Sequence, residues 1–116
     1  MSVDDCIFCK IADRRIPAER VYEDDIAIAF NDITPQAPTH IIIIPREHLA
    51  SLDDAKEGHR ETLGHLLLTA AKIAREKDAA DDGYRVVINT NSDGGQTVFH
   101  LHVHLLAGRQ FIFPPG

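Results

Sequence analysis

His100, His102 and His104 alternate with Leu101, Val103 and Leu105 near the end of the chain. On a β-strand, a period of two places the three imidazoles on one face and the three aliphatic side chains on the other. The aliphatic face can pack against a core while the imidazoles line a site. A polar sheet face that carries histidines by accident is the plainest alternative, but packing does not require three aligned imidazoles. A metal is a second alternative, since histidines two apart can share a zinc ion. Same-face neighbours lie about 6.6 Å apart along a strand and the outer pair about 13 Å, so one ion could hold two of the three. Nucleophilic catalysis uses all three more naturally: a neutral imidazole attacks phosphorus, a second handles protons, and a third orients or tunes. With a reference pKa of about 6.5, histidine is largely neutral at pH 7, and neighbouring positive charge would keep a nucleophile so.

Just upstream lies Asp93-Gly94-Gly95-Gln96-Thr97. Gly94 and Gly95 permit positive φ, so backbone N–H groups can turn toward an anion. Gln96 and Thr97 add side-chain donors. Alone, the glycine pair would be an ordinary turn; beside three histidines it reads as a phosphate cradle. Near the other end, Cys6-Ile7-Phe8-Cys9 has the spacing of a metal half-site or redox pair rather than of a structural disulfide. The plain alternative is two small buried thiols.

These residues need elements to position them. The pattern predicts a short helix over Asp5–Ala12 and strands at Arg20–Tyr22 and Ile26–Phe30, separated by the acidic turn Glu23-Asp24-Asp25. Pro35 and Pro38 restrict the loop Asp32–Thr39. His40–Pro45 contains the unbroken run Ile41 to Ile44, which suits a strand covered on both faces. Leu63, Leu66, Leu67, Ala70, Ala71, Ile73 and Ala74 recur at helical spacing, predicting one long amphipathic helix from about Gly58 to Lys77. His59 and His65 on it are assigned to solvent. Asp81-Asp82-Gly83 ends that region, Tyr84–Asn89 reads as a strand, and a last strand runs over about Val98–Ala107. Strands with one long helix make an α+β fold with an antiparallel sheet.

At 116 residues the chain suits one compact domain, residues 1–116, and its hydrophobic content of 44% is ordinary for a globular protein. No apolar run approaches the roughly 20 residues that span a bilayer, and the first residues lack the features of a secretory signal. A cytoplasmic protein with no membrane partner is therefore expected. The formal charge of −6 argues against general binding to nucleic-acid backbones, although local donors could still hold a small phosphate.

The run Gly94-Gly95-Gln96-Thr97-Val98-Phe99-His100-Leu101-His102-Val103-His104-Leu105-Leu106 resembles the signature of the histidine-triad (HIT) family. Asn31-Asp32-Ile33-Thr34-Pro35-Gln36-Ala37-Pro38-Thr39-His40 resembles the nucleotide-site loop of its Hint branch, and Gly108-Arg109-Gln110-Phe111-Ile112-Phe113-Pro114-Pro115-Gly116 resembles that branch's tail. The resemblance covers nearly the whole chain. It implies a HIT-like fold with a five-stranded antiparallel sheet, one long helix and a short N-terminal helix, paired as a homodimer. It also implies hydrolysis of purine nucleoside 5′-phosphoramidates, such as adenosine monophosphoramidate or aminoacyl adenylate-like substrates, without a catalytic cofactor. By position His102 would be the nucleophile, His104 and His40 would assist with phosphate and protons, His100 would support the nucleophile, and Thr97 would hold the leaving nitrogen. Residues matching Phe8, Ile11, Phe30 and Ile33 would sandwich the base, Asp32 would bind the ribose hydroxyls, and Asn89 would meet the phosphate or ribose. Gly95, Gln96 and Thr97, with His102 and His104, would complete the substrate site. Cys6, Cys9, His48 and His100 resemble a structural zinc set of some bacterial-type members.

Read by themselves, Asp32 would be a turn former and Phe8 and Phe30 core residues; only their register with the triad raises them to site status. Thr97 stands where the best-known animal members often have serine, and Phe113 where tryptophan often sits. The competing functions are a nucleotide-binding regulatory module, a dinucleoside polyphosphate hydrolase, and a zinc- or nickel-binding protein that uses the histidine strand.

Overall fold

The computed structural model describes residues 5–116. Strands β1 (Arg20–Glu23), β2 (Ala27–Asn31), β3 (Thr39–Pro45), β4 (Tyr84–Val87) and β5 (Val103–Ala107) form one sheet in the order β1-β2-β3-β5-β4. Every neighbouring pair is antiparallel. Helix α1 (Ile7–Ala12) precedes the sheet, and the long helix α2 (Arg60–Glu76) lies between β3 and β4 in the chain. The expected α+β architecture, with a five-stranded sheet, one long helix and a short N-terminal helix, is the one observed.

Two-residue periodicity divides the core. Ala27, Ala29, Ile41 and Ile43 face α2 and pack with its Leu66, Ala70, Ile73 and Ala74. Ile28, Phe30, Ile42 and Ile44 face the other way and pack with Phe8, Cys9, Ile11 and Ala12 of α1. The β-branched run of β3 is thus split between two cores, which explains why it shows no polar alternation. Leu101, Val103 and Leu105 join the α2 core. The imidazoles between them are left for the α1 side.

Several boundaries differ from expectation. The last strand begins at Val103 rather than Val98. Its β3 partners end at Ile43, opposite Val103; further along β3 stands Pro45, which has no N–H to continue the ladder. Leu101 instead donates its N–H to the carbonyl of Leu49. His100, at the end of a bend, and His102 therefore lie on an irregular lead-in held by other contacts, and of the three only His104 belongs to the strand. β4 stops at Val87, opposite His104, so Ile88 and Asn89 leave the sheet. The long helix starts at Arg60, because Leu52–Asp54 and Glu57–His59 form separate 3₁₀ turns. It ends at Glu76, ahead of the acidic-glycine signal, because Asp78 takes φ 58° and the N–H of Ala79 returns to the carbonyl of Ala74. Helix α1 begins after Cys6, whose sulfur accepts the N–H of Cys9 at 3.3 Å.

His65 is not a solvent residue. Its Nε2 meets Asp24 Oδ2 at 2.7 Å, where the Tyr22 hydroxyl also donates at 2.7 Å. Asp24 Oδ1 accepts the N–H groups of Ile26 and Ala27, so one carboxylate closes the β1–β2 turn and ties it to α2. His59 also has partners: its Nδ1 accepts the N–H of Lys56, and its Nε2 lies 3.5 Å from Glu47. No helix among the described residues is long and apolar enough to cross a membrane.

Candidate active site

The imidazoles converge beside α1, and backbone contacts set their tautomers. His102 Nδ1 lies 2.8 Å from the carbonyl of His100. A carbonyl only accepts, so Nδ1 carries the proton and Nε2 keeps its lone pair. Among the described residues Nε2 has no hydrogen-bond partner. Burial lowers the pKa of His102, partly opposed by the His100 carbonyl and by Asp32. At neutral pH the ring is therefore an uncharged base with a free ε nitrogen.

A second chain begins at Gln36, whose N–H donates to His40 Nδ1 at 3.0 Å. The proton of neutral His40 then sits on Nε2 and donates to His104 Nδ1 at 2.9 Å, with Asp32 Oδ2 at 3.4 Å as a further acceptor. His104 in turn carries its proton on Nε2. Burial, then the neighbouring His102 and His40, push His104 down to about 4, with Asp32 opposing. His40 is lowered by the same burial. The rings of His102 and His104 meet edge to face at 5.0 Å, so an open lone pair and an N–H stand side by side.

The third imidazole is turned away from this pair. His100 is fully buried, and its Nε2 donates to the Pro45 carbonyl at 2.8 Å. Its Nδ1 faces Cys6 Sγ at 3.3 Å and Cys9 Sγ at 3.4 Å, while His48 Nδ1 lies 3.3 Å from Cys9 Sγ. Burial foremost pushes His100 down to about 4. The four donor atoms of Cys6, Cys9, His48 and His100 lie within 4.8 Å of one another. A tetrahedral ion with bonds of about 2.3 Å to sulfur and 2.0–2.1 Å to nitrogen needs donors at about this spacing. Without an ion, burial and the neighbouring Cys6 raise the Cys9 thiol well above its usual pKa. The set fits a closed, four-coordinate metal. Asp32, His40 and His104 also converge within 4.8 Å, but the Gln36 N–H occupies the Nδ1 of His40. Its Nε2 therefore bears hydrogen rather than a lone pair, so that trio is a hydrogen-bonded chain rather than a set of metal ligands.

A cleft of about 430 Å³ opens beside His102 and His104. Phe8, Ile11, Phe30, Ile33 and Thr97 line it, with Asp32 at its polar side. Phe8 packs edge-on against Phe30 at 5.6 Å and against His102 at 5.1 Å. Ile42 and Val98 are wall residues that periodicity had assigned only to strands. An apolar slot ending at a carboxylate and two imidazoles matches a nucleoside with its phosphate. Asp32 is also the turn former expected of it alone, since its Oδ1 accepts the N–H of Thr34.

The glycine loop departs from the cradle reading. The Gly95 N–H donates to Ser92 and the Gln96 N–H to Asn91, each at 3.0 Å. Gln96 is buried, and its amide nitrogen donates to the carbonyls of Ala50 and Val98. Its side-chain donors are spent on these carbonyls, so it ties the loop to the segment after β3 and offers no free side-chain donor to a phosphate. Gly95 does take φ +82°, whereas Gly94 is demanded by contact: an added Cβ would lie 2.4 Å from the Thr90 carbonyl oxygen. Asn89 lines a different hollow, shared with His40, His104, Arg85, Arg109 and Phe111. Sequence reasoning overlooked the two arginines and the Gln36 amide; a backbone donor leaves no trace in residue type.

Fold and site together define a protein with a hydrogen-bonded cluster of imidazoles on a five-stranded sheet. The family model for the HIT domain matches residues 13–111, and the chain belongs to that family. It is 50% identical over 106 residues to the purine nucleoside phosphoramidase of Escherichia coli strain K12, covering 91% of this chain and 89% of that protein. The crystal structure of a HIT family hydrolase from Legionella pneumophila superposes with a TM-score of 0.95 at 50% identity, covering 97% of this chain and all of that one. A zinc-bound histidine triad family protein from Mycobacterium smegmatis is 32% identical with a TM-score of 0.82, covering 93% of this chain and 78% of that one.

Proposed function

We propose that this protein hydrolyses the P–N bond of purine nucleoside 5′-phosphoramidates through a nucleotidyl-His102 intermediate. The observation that carries the reading is the hydrogen bond from His102 Nδ1 to the His100 carbonyl, which leaves Nε2 as a neutral nucleophile beside the His104 N–H. The base lies between Phe8, Ile11, Phe30 and Ile33, the ribose hydroxyls donate to Asp32, and Thr97 holds the leaving nitrogen. His102 Nε2 attacks phosphorus, and the amine departs as it gains the proton of His104, which His40 orients and which the attacking water restores in the second step. Water then cleaves the nucleotidyl-histidine and restores His102. The 50% identity to a phosphoramidase supports this substrate class.

Zinc at Cys6, Cys9, His48 and His100 belongs to the same proposal, with the neighbouring zinc-bound protein in support. A closed ion there contributes structure: it clamps α1 to the segment whose His100 carbonyl orients the nucleophile. We also propose a homodimer. Leu67 and Leu68 on α2 and Val86 on the edge strand β4 are exposed apolar side chains that a second copy would cover.

The test is turnover of a fluorogenic adenosine phosphoramidate by the wild type and by His102→Ala, with and without a chelator. Rapid turnover that the substitution nearly abolishes and chelation leaves mostly intact is expected. Equal activity in the variant would sink the nucleophile assignment, and immediate loss on chelation would favour metal catalysis.

A further inference from the structure

His104 is the only described residue that lines both the nucleoside cleft and a second hollow of about 290 Å³ on its other side. With the nucleoside in the first cleft, phosphorus at His102 and His104 and the leaving nitrogen at Thr97, the rest of the leaving group can extend past this seam. Beyond it stand Asn89, Arg85, Arg109 and Phe111. Both guanidinium groups lie against the Phe111 ring, that of Arg85 at 5.1 Å and that of Arg109 at 4.1 Å from its centre. Arg85 donates to the Ile112 carbonyl at 2.7 Å, and Arg109 Nε donates to the Gln36 carbonyl at 3.1 Å. Each head is thus positioned with N–H groups to spare.

Their charges are also unmatched. Arg14, Arg15, Arg20, Arg46 and Arg60 all pair with carboxylates. Among the described residues Arg85 and Arg109 do not, nor does Arg75 at the far end of the long helix, in a chain with a formal charge of −6. Two oriented guanidinium groups without counter-ions, beside the catalytic seam, form a site for a planar anion.

We propose that this hollow receives the leaving amine and selects amines that carry a carboxylate, as amino acids joined through nitrogen to the nucleotide phosphorus do. The proposal rests on the phosphoramidate reading and names its substrate class. His102 Nε2 forms a bond to phosphorus while the P–N bond to the amino acid breaks. The nitrogen takes a proton through His104, and the amino acid leaves with its carboxylate on Arg85 and Arg109. Water then adds its oxygen to phosphorus, the P–Nε2 bond breaks with its electron pair returning to His102, and the proton of that water restores His104.

The test compares two substrates, adenosine 5′-phosphoramidates of glycine and of glycine methyl ester, which differ by the one methyl group that removes the carboxylate charge. Wild-type kcat/KM should be about tenfold higher for the free carboxylate, the scale of one charge-assisted hydrogen bond. The advantage should shrink in high salt. Arg85→Gln and Arg109→Gln should each reduce the ratio and the double variant should bring it near one, while Arg109→Lys keeps part of it. Because both substrates are measured on one preparation, partial misfolding of a variant cancels from the ratio. Turnover of the ester with no advantage for the carboxylate, or an advantage that survives in the double variant, would overturn the subsite alone. Failure to cleave either substrate would overturn P–N hydrolysis and the subsite with it.

Discussion

Each imidazole in the site has one nitrogen committed and the other assigned a task. The assignments come from the carbonyls of His100 and Pro45 and from the Gln36 N–H. Replacing His102 by asparagine should lower kcat by at least about a thousandfold, since amide nitrogen is no nucleophile; a burst assay checks this. His40→Ala should cost less, about ten- to a hundredfold, because it acts through His104. Protonation follows from burial. His104 is pushed down to about 4 in the fold, whereas an unfolded histidine titrates near 6.5. Between these values the unfolded chain binds more protons, so stability falls as pH drops through that window and is fully present above it. Urea midpoints at pH 7 and pH 5 should differ accordingly, and His104→Asn should reduce the difference. An unchanged midpoint would contradict the buried neutral state.

At the level of elements, the site depends on how two short segments end. β5 begins only where β3 can still pair with it, so His100 and His102 are set by contacts outside the sheet. Before them, the glycine loop passes so close to itself that Gly94→Ala should force the chain apart at Thr90. A loss of roughly 2 kcal/mol or more is expected, with lower activity as Thr97 shifts, measured by thermal melting and turnover. Asp24 gives a contrasting case. It accepts from Tyr22, Ile26 and Ala27 and binds His65, far from the cleft residues. Asp24→Ala should therefore cost about 2 kcal/mol of stability and leave kcat little changed. The hydrophobic periods predicted these elements well, but their ends were set by partners distant in the chain, as Pro45 is from Leu101.

For the whole molecule, the two cores on either side of the sheet separate support from chemistry. The α2 side is a packed aliphatic layer, while the α1 side carries the thiols, the imidazoles and the cleft beside His102 and His104. Exposed Leu67, Leu68 and Val86 should close against a second copy. Sedimentation should show twice the chain mass of 12.9 kDa, and Leu68→Glu should shift it toward monomer. The chain by itself determined the five strands, the long helix, the separation of imidazoles from aliphatic side chains, and the residue types of the cleft. These follow from periodicity and motif, which are local. Only the tertiary structure decided that His100 faces the thiols while His102 and His104 line the cleft, that Gln96 is spent on the Ala50 carbonyl, and that Arg85 and Arg109 meet at Phe111. Each depends on a hydrogen-bond or ring partner brought close by folding, and residue spacing does not encode such partners.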